Sequence, residues 1–349
     1  MEGHKCEIVL NLCILVLQMW TDNDKIHSTK ENRGKLSNKN RNCPVISQLR
    51  AKTQQRKGEI PNMNEIDANK KAEELLHGAY DLHVHSSPSV FPRAMDGFQI
   101  IQEADAAGMA GILLKSHYES TALRAELINR YSGCRAKAYG GLCLNWPVGG
   151  LNVYAVKNAL KAGAKVIWMP TRDAENSLVF GNMSGDFFNR EGISILNADG
   201  TLKDCVYDIM DAVKEQNAFL ATGHISPEES IILCREGRKR SVNMILTHPE
   251  FPRTMIPADQ QAELAKMGVL IEKNWFNIVQ KSVTAEKMAE TIQEVGSNCI
   301  YMATDRGQKN APSPVSELKR FIVLLLLCGI SEEQIRDMVQ RVPQEVVCR

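Results

Sequence analysis

The feature that most constrains the fold is a regular alternation of β-rich runs and helical stretches from Ala79 to Cys328. Short apolar runs favour strands, and longer amphipathic stretches favour helices. Eight runs fit strands: Ala79–His85, Gly111–His117, Ala138–Asn145, Ala164–Thr171, Phe219–His224, Asn243–His248, Gly268–Trp275 and Cys299–Asp305. Eight stretches between and after them fit helices: Asp96–Ala107, Ser120–Tyr131, Leu151–Ala162, Leu202–Gln216, Glu228–Gly237, Ala258–Lys266, Ala285–Val295 and Val315–Cys328. This order predicts an α/β protein with a parallel sheet, and eight units are the number that closes a (β/α)8 TIM barrel.

The composition predicts one folded domain after a leader. The chain has 349 residues with 44% hydrophobic and 24% charged content, enough to bury a large core. Residues 1–63 read as a largely disordered leader, because residues 21–57 are polar and charged with few apolar side chains. Within it, the apolar stretch Ile8–Trp20 is too short for a membrane helix. We therefore predict a single barrel domain over residues 64–349 and no membrane association.

Charge and cysteine usage restrict the partners and the compartment. The net charge is +1, from 42 basic and 41 acidic residues, which argues against nucleic acid as the main partner. The ten cysteines include no Cys-x-x-Cys pair, and several lie in apolar runs. Buried free thiols are typical of a reducing compartment, so a cytoplasmic location is predicted. The expected partner is a small-molecule substrate, and a homo-oligomer is left open.

Two segments depart from the regular alternation. The fourth connection, from Arg172 to Gly200, is long and loop-like, which indicates a lid or a substrate-contacting insertion. At the C-terminus, Ser331 looks like the cap of a last helix that ends near Arg341. The final turn, residues 342–349, is expected to be incompletely packed.

Histidines and one aspartate occupy the predicted strand ends. Residues i and i+2 of a strand point to the same face, so His83 and His85 can present two imidazoles to one ion. Active sites of parallel barrels form at the carboxyl ends of the strands. Five of the eight histidines fall there, followed by an aspartate on the last strand: His83, His85, His117, His224, His248 and Asp305. Nitrogen ligands with one carboxylate suit zinc first, and also manganese or iron.

This ordered set resembles the amidohydrolase superfamily over roughly residues 79–311. The matching residues are His83-x-His85 on strand one, His224 on strand five, His248 on strand six and Asp305 on strand eight. The resemblance implies that His83 and His85 bind one metal ion, and that His224 and His248 bind a second ion or the substrate. Asp305 would bind metal and accept the proton of an attacking water. The implied function is a metal-dependent hydrolase that cleaves a C–N or C–O bond of a small molecule (an amide, lactone or ester).

One departure leaves the number of ions open between one and two. The superfamily often bridges two metals with a carboxylated lysine or a glutamate from strand four, but this strand ends in Trp168-Met-Pro-Thr-Arg-Asp173. Lys115 has the strand parity of His117 and can be carboxylated to take the bridging place. Alternatively, Lys115 pairs with a carboxylate such as Asp81 or Glu272, or supplies positive charge to the substrate.

Other residues near the strand ends receive weaker assignments. His117 is an extra ligand, a donor to the substrate or a structural cap of strand two. Arg172 and Arg306 are candidates for binding an anionic substrate group, with solvated ion pairs as the alternative. Trp146 is a candidate aromatic wall of the pocket. Asp81 shares the parity of the two first histidines, so it is expected to orient one of their imidazoles.

Two further function classes fit parts of the pattern. A phosphoesterase of the polymerase-and-histidinol-phosphatase type also opens with His-x-His, and activity on phosphate monoesters would distinguish it. A barrel that binds metal or ligand without turnover is the second alternative, although Asp305 argues against it because a purely structural site has little use for a proton-accepting carboxylate.

Overall fold

The computed structural model describes residues 63–181 and 189–349. The apolar stretch and nearly all of the predicted leader lie outside the described residues, as does the centre of the long insertion. The first described element is helix α1, Glu65–Leu76. It begins where the Asn64 side chain accepts a hydrogen bond from the backbone N–H of Asp67, which satisfies one of the free donors of the first turn. The domain boundary after residue 63 stays a prediction.

The described strands are short and pair in parallel. In chain order they are β1 Tyr80–Val84, β2 Gly111–Leu114, β3 Lys137–Tyr139, β4 Gly141–Cys143, β5 Val166–Trp168, β6 Phe219–Ala221, β7 Asn243–Leu246, β8 Val269–Asn274 and β9 Ile300–Ala303. Strands β1 to β3 form one run of neighbours and β4 to β9 form another. Because β3 and β4 are separated only by Gly140, they are the two halves of one predicted strand. Each predicted strand is therefore present, but shorter than its apolar run.

Hydrogen bonds also join the first strand to the end of the last one. The backbone N–H of Asp305 donates to the carbonyl of His83 at 2.9 Å, and the N–H of His85 donates to the carbonyl of Arg306 at 2.8 Å. The side chain of Asp81 accepts from the backbone N–H and the hydroxyl of Thr304, at 3.1 and 2.6 Å. With β3 and β4 counted as one, eight parallel strands follow each other in barrel order. The predicted α/β fold class is confirmed.

Side chains alternate between two apolar clusters along the strands. In β2, Ile112 and Leu114 pack in the larger cluster with the helices, whereas Leu113 belongs to a second cluster. Trp168 of β5 and Tyr301 of β9 lie in that second cluster. Alternation with period two is what a strand buried on both faces requires. The second cluster therefore marks the inward face of the strands, the face on which a site at their carboxyl ends is built.

The eight helices predicted between and after the strands are present close to their ranges, and the structure adds short helices in the fourth connection and after β8. The last predicted helix does not end near Arg341, because helical structure continues to Cys348. After α1 the helices are α2 Gly97–Ala106, α3 Ala122–Tyr131, α4 Val153–Lys161, α5 Glu175–Phe180, α6 Asp204–Glu215, α7 Pro227–Lys239, α8 Ala258–Lys266, α9 Trp275–Val279, α10 Ala285–Val295, α11 Pro314–Leu327, α12 Glu332–Arg336 and α13 Val342–Cys348. Short 3-10 turns cover Trp146–Val148, Pro252–Thr254 and Ser297–Cys299, and a π-helical turn covers Asp337–Arg341. Within the described ranges, no helix has both the length and the apolar character to cross a membrane.

The C-terminal segment is the main correction to the expected fold. The expectation of an incompletely packed final turn is wrong, because this turn is helix α13. Val342, Val346 and Val347 are buried in the second apolar cluster. The guanidinium of Arg349 bonds to the Asn243 side chain at the start of β7, at 3.0 Å. Helix α13 thus packs at the amino ends of the strands, opposite to the histidines.

Candidate metal centre

Three predicted ligands converge at the carboxyl ends of the first and last strands. The Nε2 atom of His83 lies 3.2 Å from Oδ1 of Asp305, and Nε2 of His85 lies 3.0 Å from the same oxygen. These three residues offer ligand atoms that all lie within 4.8 Å of one another. His83 and His85 are buried, and the Asp305 side chain is 18% exposed. Two imidazoles and a carboxylate that face one point are a donor set suited to a divalent ion.

The opposite ring nitrogens fix how both imidazoles are oriented. Nδ1 of His83 donates to Oε1 of Glu272 at 2.7 Å, and Nδ1 of His85 donates to the backbone carbonyl of Lys115 at 3.0 Å. A carboxylate and a carbonyl accept only, so each Nδ1 must carry a proton. The Nε2 atoms of both rings therefore face Asp305, where an ion would bind. Such outer partners orient metal-binding histidines in proteins.

Glu272 is the residue that holds His83, a role that the sequence did not assign to it. Oε1 of Glu272 also accepts from Nδ2 of Asn274 at 2.8 Å, and Oε2 accepts from the Tyr301 hydroxyl at 2.9 Å. Burial alone would raise the pKa of Glu272, but the neighbouring His83 lowers it to about 2. Glu272 is thus ionised at neutral pH and completes a carboxylate–histidine pair behind the candidate metal position.

Asp81 does not orient an imidazole, contrary to the prediction from strand parity. Its oxygens accept from the backbone N–H of His83 at 3.2 Å and from Thr304. The parity argument fails because the pairing register of β1 shifts between Asp81 and Val84. Asp81 therefore fixes the backbone of the first and last strands, and the imidazole is oriented by Glu272 instead.

Lys115 extends to the metal-facing side of His83. Its Nζ lies 2.9 Å from Nε2 of His83 and 5.4 Å from the ring centre of Trp168. Lys115 is buried, and no side-chain bond to Asp81 or Glu272 occurs among the described residues. The alternative of a direct ion pair with either carboxylate is therefore not what the structure shows. Its role as a carboxylated bridge or as a charge for the substrate stays a prediction.

The other three predicted histidines lie next to these ligands. The ring of His117 stacks on His85 at 4.9 Å between centres, and the rings of His224 and His248 are 5.0 Å apart. His248 in turn lies 5.9 Å from His83. Nδ1 of His117 bonds to the Thr171 hydroxyl at 2.9 Å, but Nδ1 of His224 is buried without a partner in the described part of the chain. The five imidazoles thus form one continuous group.

Burial keeps four of these imidazoles, those of His85, His117, His224 and His248, neutral. It lowers the pKa of His85 to about 3 and that of His248 to about 4, and it lowers the pKa of His117 and His224 well below the usual value. Burial alone would raise the pKa of Asp305, but His83 and His85 hold it well below its usual range. Neutral nitrogens beside an ionised carboxylate are the protonation states that metal binding requires. His83, His85 and Asp305 therefore fit a divalent ion, and the Nδ1 atom of His224 is a buried nitrogen that a second ion or a substrate could use.

The backbone at the site is strained. His248 and Asp305 have φ angles of 29° and 52°, in the left-handed region that residues with side chains rarely adopt. Gly307 has a φ of 128°, and a Cβ atom there would lie 1.8 Å from the carbonyl oxygen of His85. The turn after β9 therefore passes so close to His85 that only glycine fits.

Comparison with known proteins places the chain in a family. A sequence profile described as a family of unknown function, DUF6282, matches residues 78–272, more than half of the chain. The chain belongs to the DUF6282 family. The match to DUF6282 includes the five strand-end histidines, Lys115 and Glu272, whereas Asp305 lies after its end. No curated protein matches the sequence.

Solved structures share the fold of this DUF6282 protein at low sequence identity. An amidohydrolase from Pseudomonas aeruginosa has a TM-score of 0.55 and 13% identity, covering 81% of this chain and 99% of its own. The dipeptidase AC, a metallopeptidase, has a TM-score of 0.52 and 10% identity, covering 78% and 98%. At these identities the likeness concerns the fold, and the resemblance to amidohydrolases is confirmed at that level.

The three predicted substrate-binding residues of this DUF6282 protein differ in burial and in their partners. Arg306 is 6% exposed, and its Nε lies 2.9 Å from Oε2 of Glu317, so it already has a counter-ion within the protein. Trp146 is 42% exposed and donates to the carbonyl of Glu191 at 2.8 Å. Arg172 lies over the ring of Phe91, with its Cζ 4.5 Å from the ring centre. A substrate-binding role for all three stays a prediction, and the ion pair makes Arg306 the weakest candidate.

Proposed function

We propose that this protein is a metal-dependent hydrolase of the amidohydrolase type, acting on a C–N or C–O bond of a small molecule. The observation that carries the proposal is the convergence of His83 Nε2, His85 Nε2 and Asp305 Oδ1, with both Nδ1 atoms bonded elsewhere. The fold shared with amidohydrolase structures supports it. The proposed cofactor is one or two divalent ions, zinc before manganese or iron.

Each residue of the site has a proposed task. His83 and His85 hold the ion, and Asp305 holds it through one carboxylate oxygen. When bound, the ion lowers the pKa of a water molecule toward ~7 and polarises the substrate carbonyl. Asp305 is ionised, so it can take the proton of the attacking water and pass it to the leaving group. His224 and His248 hold a second ion or bond to the substrate. A carboxylated Lys115 bridges two ions, whereas a charged Lys115 supplies positive charge to the substrate.

Metal content is the first test of this proposal. We expect the purified full-length protein to carry one or two ions of zinc, manganese or iron per chain, and a His83→Ala/His85→Ala variant to lose them. His77→Ala is the matched control, because His77 is an exposed histidine at the end of α1. Protein that holds no ion after incubation with each metal, while remaining folded, would refute the proposal.

An activity screen then separates the reaction classes. Metal-loaded protein is assayed on amides, lactones, esters and phosphate monoesters, with Asp305→Asn beside it. Hydrolysis of a C–N or C–O bond that is lost in Asp305→Asn supports the proposal. Hydrolysis of phosphate monoesters alone would point to a phosphoesterase instead.

The location and partners belong to the same proposal. Burial raises the pKa of the Cys143 thiol to about 11 and that of Cys234 to about 12, so both resist ionisation and the oxidation that follows from it. These free, buried thiols support a reducing compartment such as the cytoplasm. The proposed partner is a small-molecule substrate rather than nucleic acid or membrane, and a homo-oligomer is left open.

A further inference from the structure

The loop that follows β1 is held against the turn that carries Asp305. The backbone N–H of Ala94 donates to the carbonyl of Gly307 at 3.0 Å, and Arg93 forms an antiparallel bridge with Gln308. The N–H of Ser87 also donates to the carbonyl of Met95 at 2.9 Å, which closes the loop on itself. Arg93 is therefore fixed beside the candidate metal centre by main-chain bonds.

The guanidinium of Arg93 has no counter-ion in direct contact within the described ranges. Its Nε is buried without a hydrogen-bond partner, and its Cζ lies 5.7 Å from the ring centre of Phe91. Burial lowers its pKa to about 10, which leaves it protonated at neutral pH, and Asp305 acts on it only from beyond ion-pair distance. A buried donor on a charged group costs free energy unless a partner satisfies it.

A second arginine lies on the same aromatic ring. Cζ of Arg172 is 4.5 Å from the centre of Phe91, so two guanidinium groups lie against one phenyl ring and repel each other. The ring of Phe91 also contacts His117 at 6.0 Å between centres, and His117 stacks on His85. This chain of contacts connects the two arginines to the candidate metal ligands.

The acidic group that acts on Arg93 is Asp305, and metal ligation would take up the charge of this carboxylate. Arginine forms two parallel hydrogen bonds to carboxylates and to phosphates. A substrate anion would satisfy the buried Nε and relieve the repulsion between the two arginines.

We propose that the substrate carries a carboxylate group, which Arg93 binds through its guanidinium with Arg172 beside it, while the scissile bond lies at the His83, His85 and Asp305 cluster. This inference rests on the proposed function for where the bond is placed, but anion binding itself needs no turnover. A carboxylate is the anion proposed because its planar group accepts two parallel hydrogen bonds from one guanidinium in a common plane, and the titration below compares it with a phosphonate.

The test is calorimetric titration of the full-length protein, as purified and after chelator treatment, with glutarate, methylphosphonate and neutral glutaramide. We expect glutarate to bind wild type, and Arg93→Gln to weaken it at least about tenfold in both preparations, the loss of one charge-assisted bond. Arg135→Gln is the matched control, because the Arg135 side chain is 91% exposed at the surface near Asp105. Circular dichroism shows that each variant is folded.

Distinct outcomes overturn the inference. Equal glutarate affinity in wild type and Arg93→Gln, equal affinity for glutaramide, or no binding of glutarate would each refute it. Tighter binding of methylphosphonate than of glutarate would refute the choice of a carboxylate. Because the chelator-treated protein is titrated as well, Arg93-dependent binding can persist when no metal or hydrolysis is found, so this result is separable from the proposed function.

Discussion

Replacing Glu272 by glutamine tests the metal centre without touching a ligand. The carboxylate accepts from His83 and Asn274 with one oxygen and from Tyr301 with the other. A glutamine can keep its oxygen toward the first two donors and turn its amide toward the Tyr301 hydroxyl, which can accept. Glu272→Gln therefore keeps the bonds from His83 and Asn274, reverses the bond with Tyr301 and removes the negative charge behind His83.

The expected loss is in metal affinity rather than in folding. Changes in the partners of metal-binding histidines typically weaken binding about 10- to 100-fold, which corresponds to about 1.4–2.7 kcal/mol. Glu272 bonds to one of the two histidines, so the lower half of this range is expected. The measurement is competition for zinc against a chromogenic chelator, using chelator-treated protein, with urea unfolding of the same metal-free sample.

The control variant is Tyr301→Phe. It removes the hydrogen-bond donor to the other oxygen of Glu272 and leaves the negative charge of Glu272 in place. Zinc affinity should therefore fall less than about threefold, well below the roughly tenfold loss expected when a partner of a metal-binding histidine is changed. Wild-type zinc affinity in a folded Glu272→Gln variant would refute the reasoning. An equal loss in both variants would refute it too, because the effect would then belong to packing and not to charge.

Three other expected outcomes follow from the geometry. Gly307→Ala should lower the free energy of unfolding by more than about 2 kcal/mol in urea titrations, because its Cβ would collide with the carbonyl of His85. In the control Gly163→Ala the new Cβ has open space, so only the strain of a positive φ should appear, about 1 kcal/mol. Metal-free protein should lose stability in urea as the pH falls from about 7 to 4, because histidines of the unfolded chain bind protons near pH ~6.5 whereas the buried His85 and His248 do so only at lower pH. A stability that stays flat or rises as the pH falls would contradict this. If Lys115 is carboxylated, metal loading of the chelator-treated protein should fall in carbon dioxide-free buffer and recover with bicarbonate, and loading that ignores bicarbonate would leave Lys115 as a charged group.

The sequence was sufficient where the reasoning depended on period and order. Residue parity placed His83 and His85 on one face, and the parallel order of strands brought Asp305 to the same edge. Both are consequences of local pattern combined with one general rule of barrels. The fold class and the candidate ligand cluster could therefore be predicted from the sequence.

The positions of Glu272, Asp81 and Arg93 depend on strand register and on long-range main-chain contacts, which the sequence pattern does not show. Glu272 reaches His83 only through the register of β8 against its neighbours, and the available signal was two charged residues, Glu272-Lys273, inside an apolar strand. Asp81 was misassigned because an irregularity in β1 breaks the parity. Arg93 lies in a loop without periodicity, and its position follows from main-chain bonds to the distant Gly307.

The joining of the first and last strands has a consequence for how the protein is made. Asp81 and Thr304, which bond to each other, stand 223 residues apart in the chain, and the candidate ligands are divided between the same two strands. A growing chain that has emerged only as far as β8 holds both histidines but lacks the carboxylate. Metal capture would then be a late event that distinguishes finished molecules from partial ones, and a bound ion would resist the peeling away of the last strand.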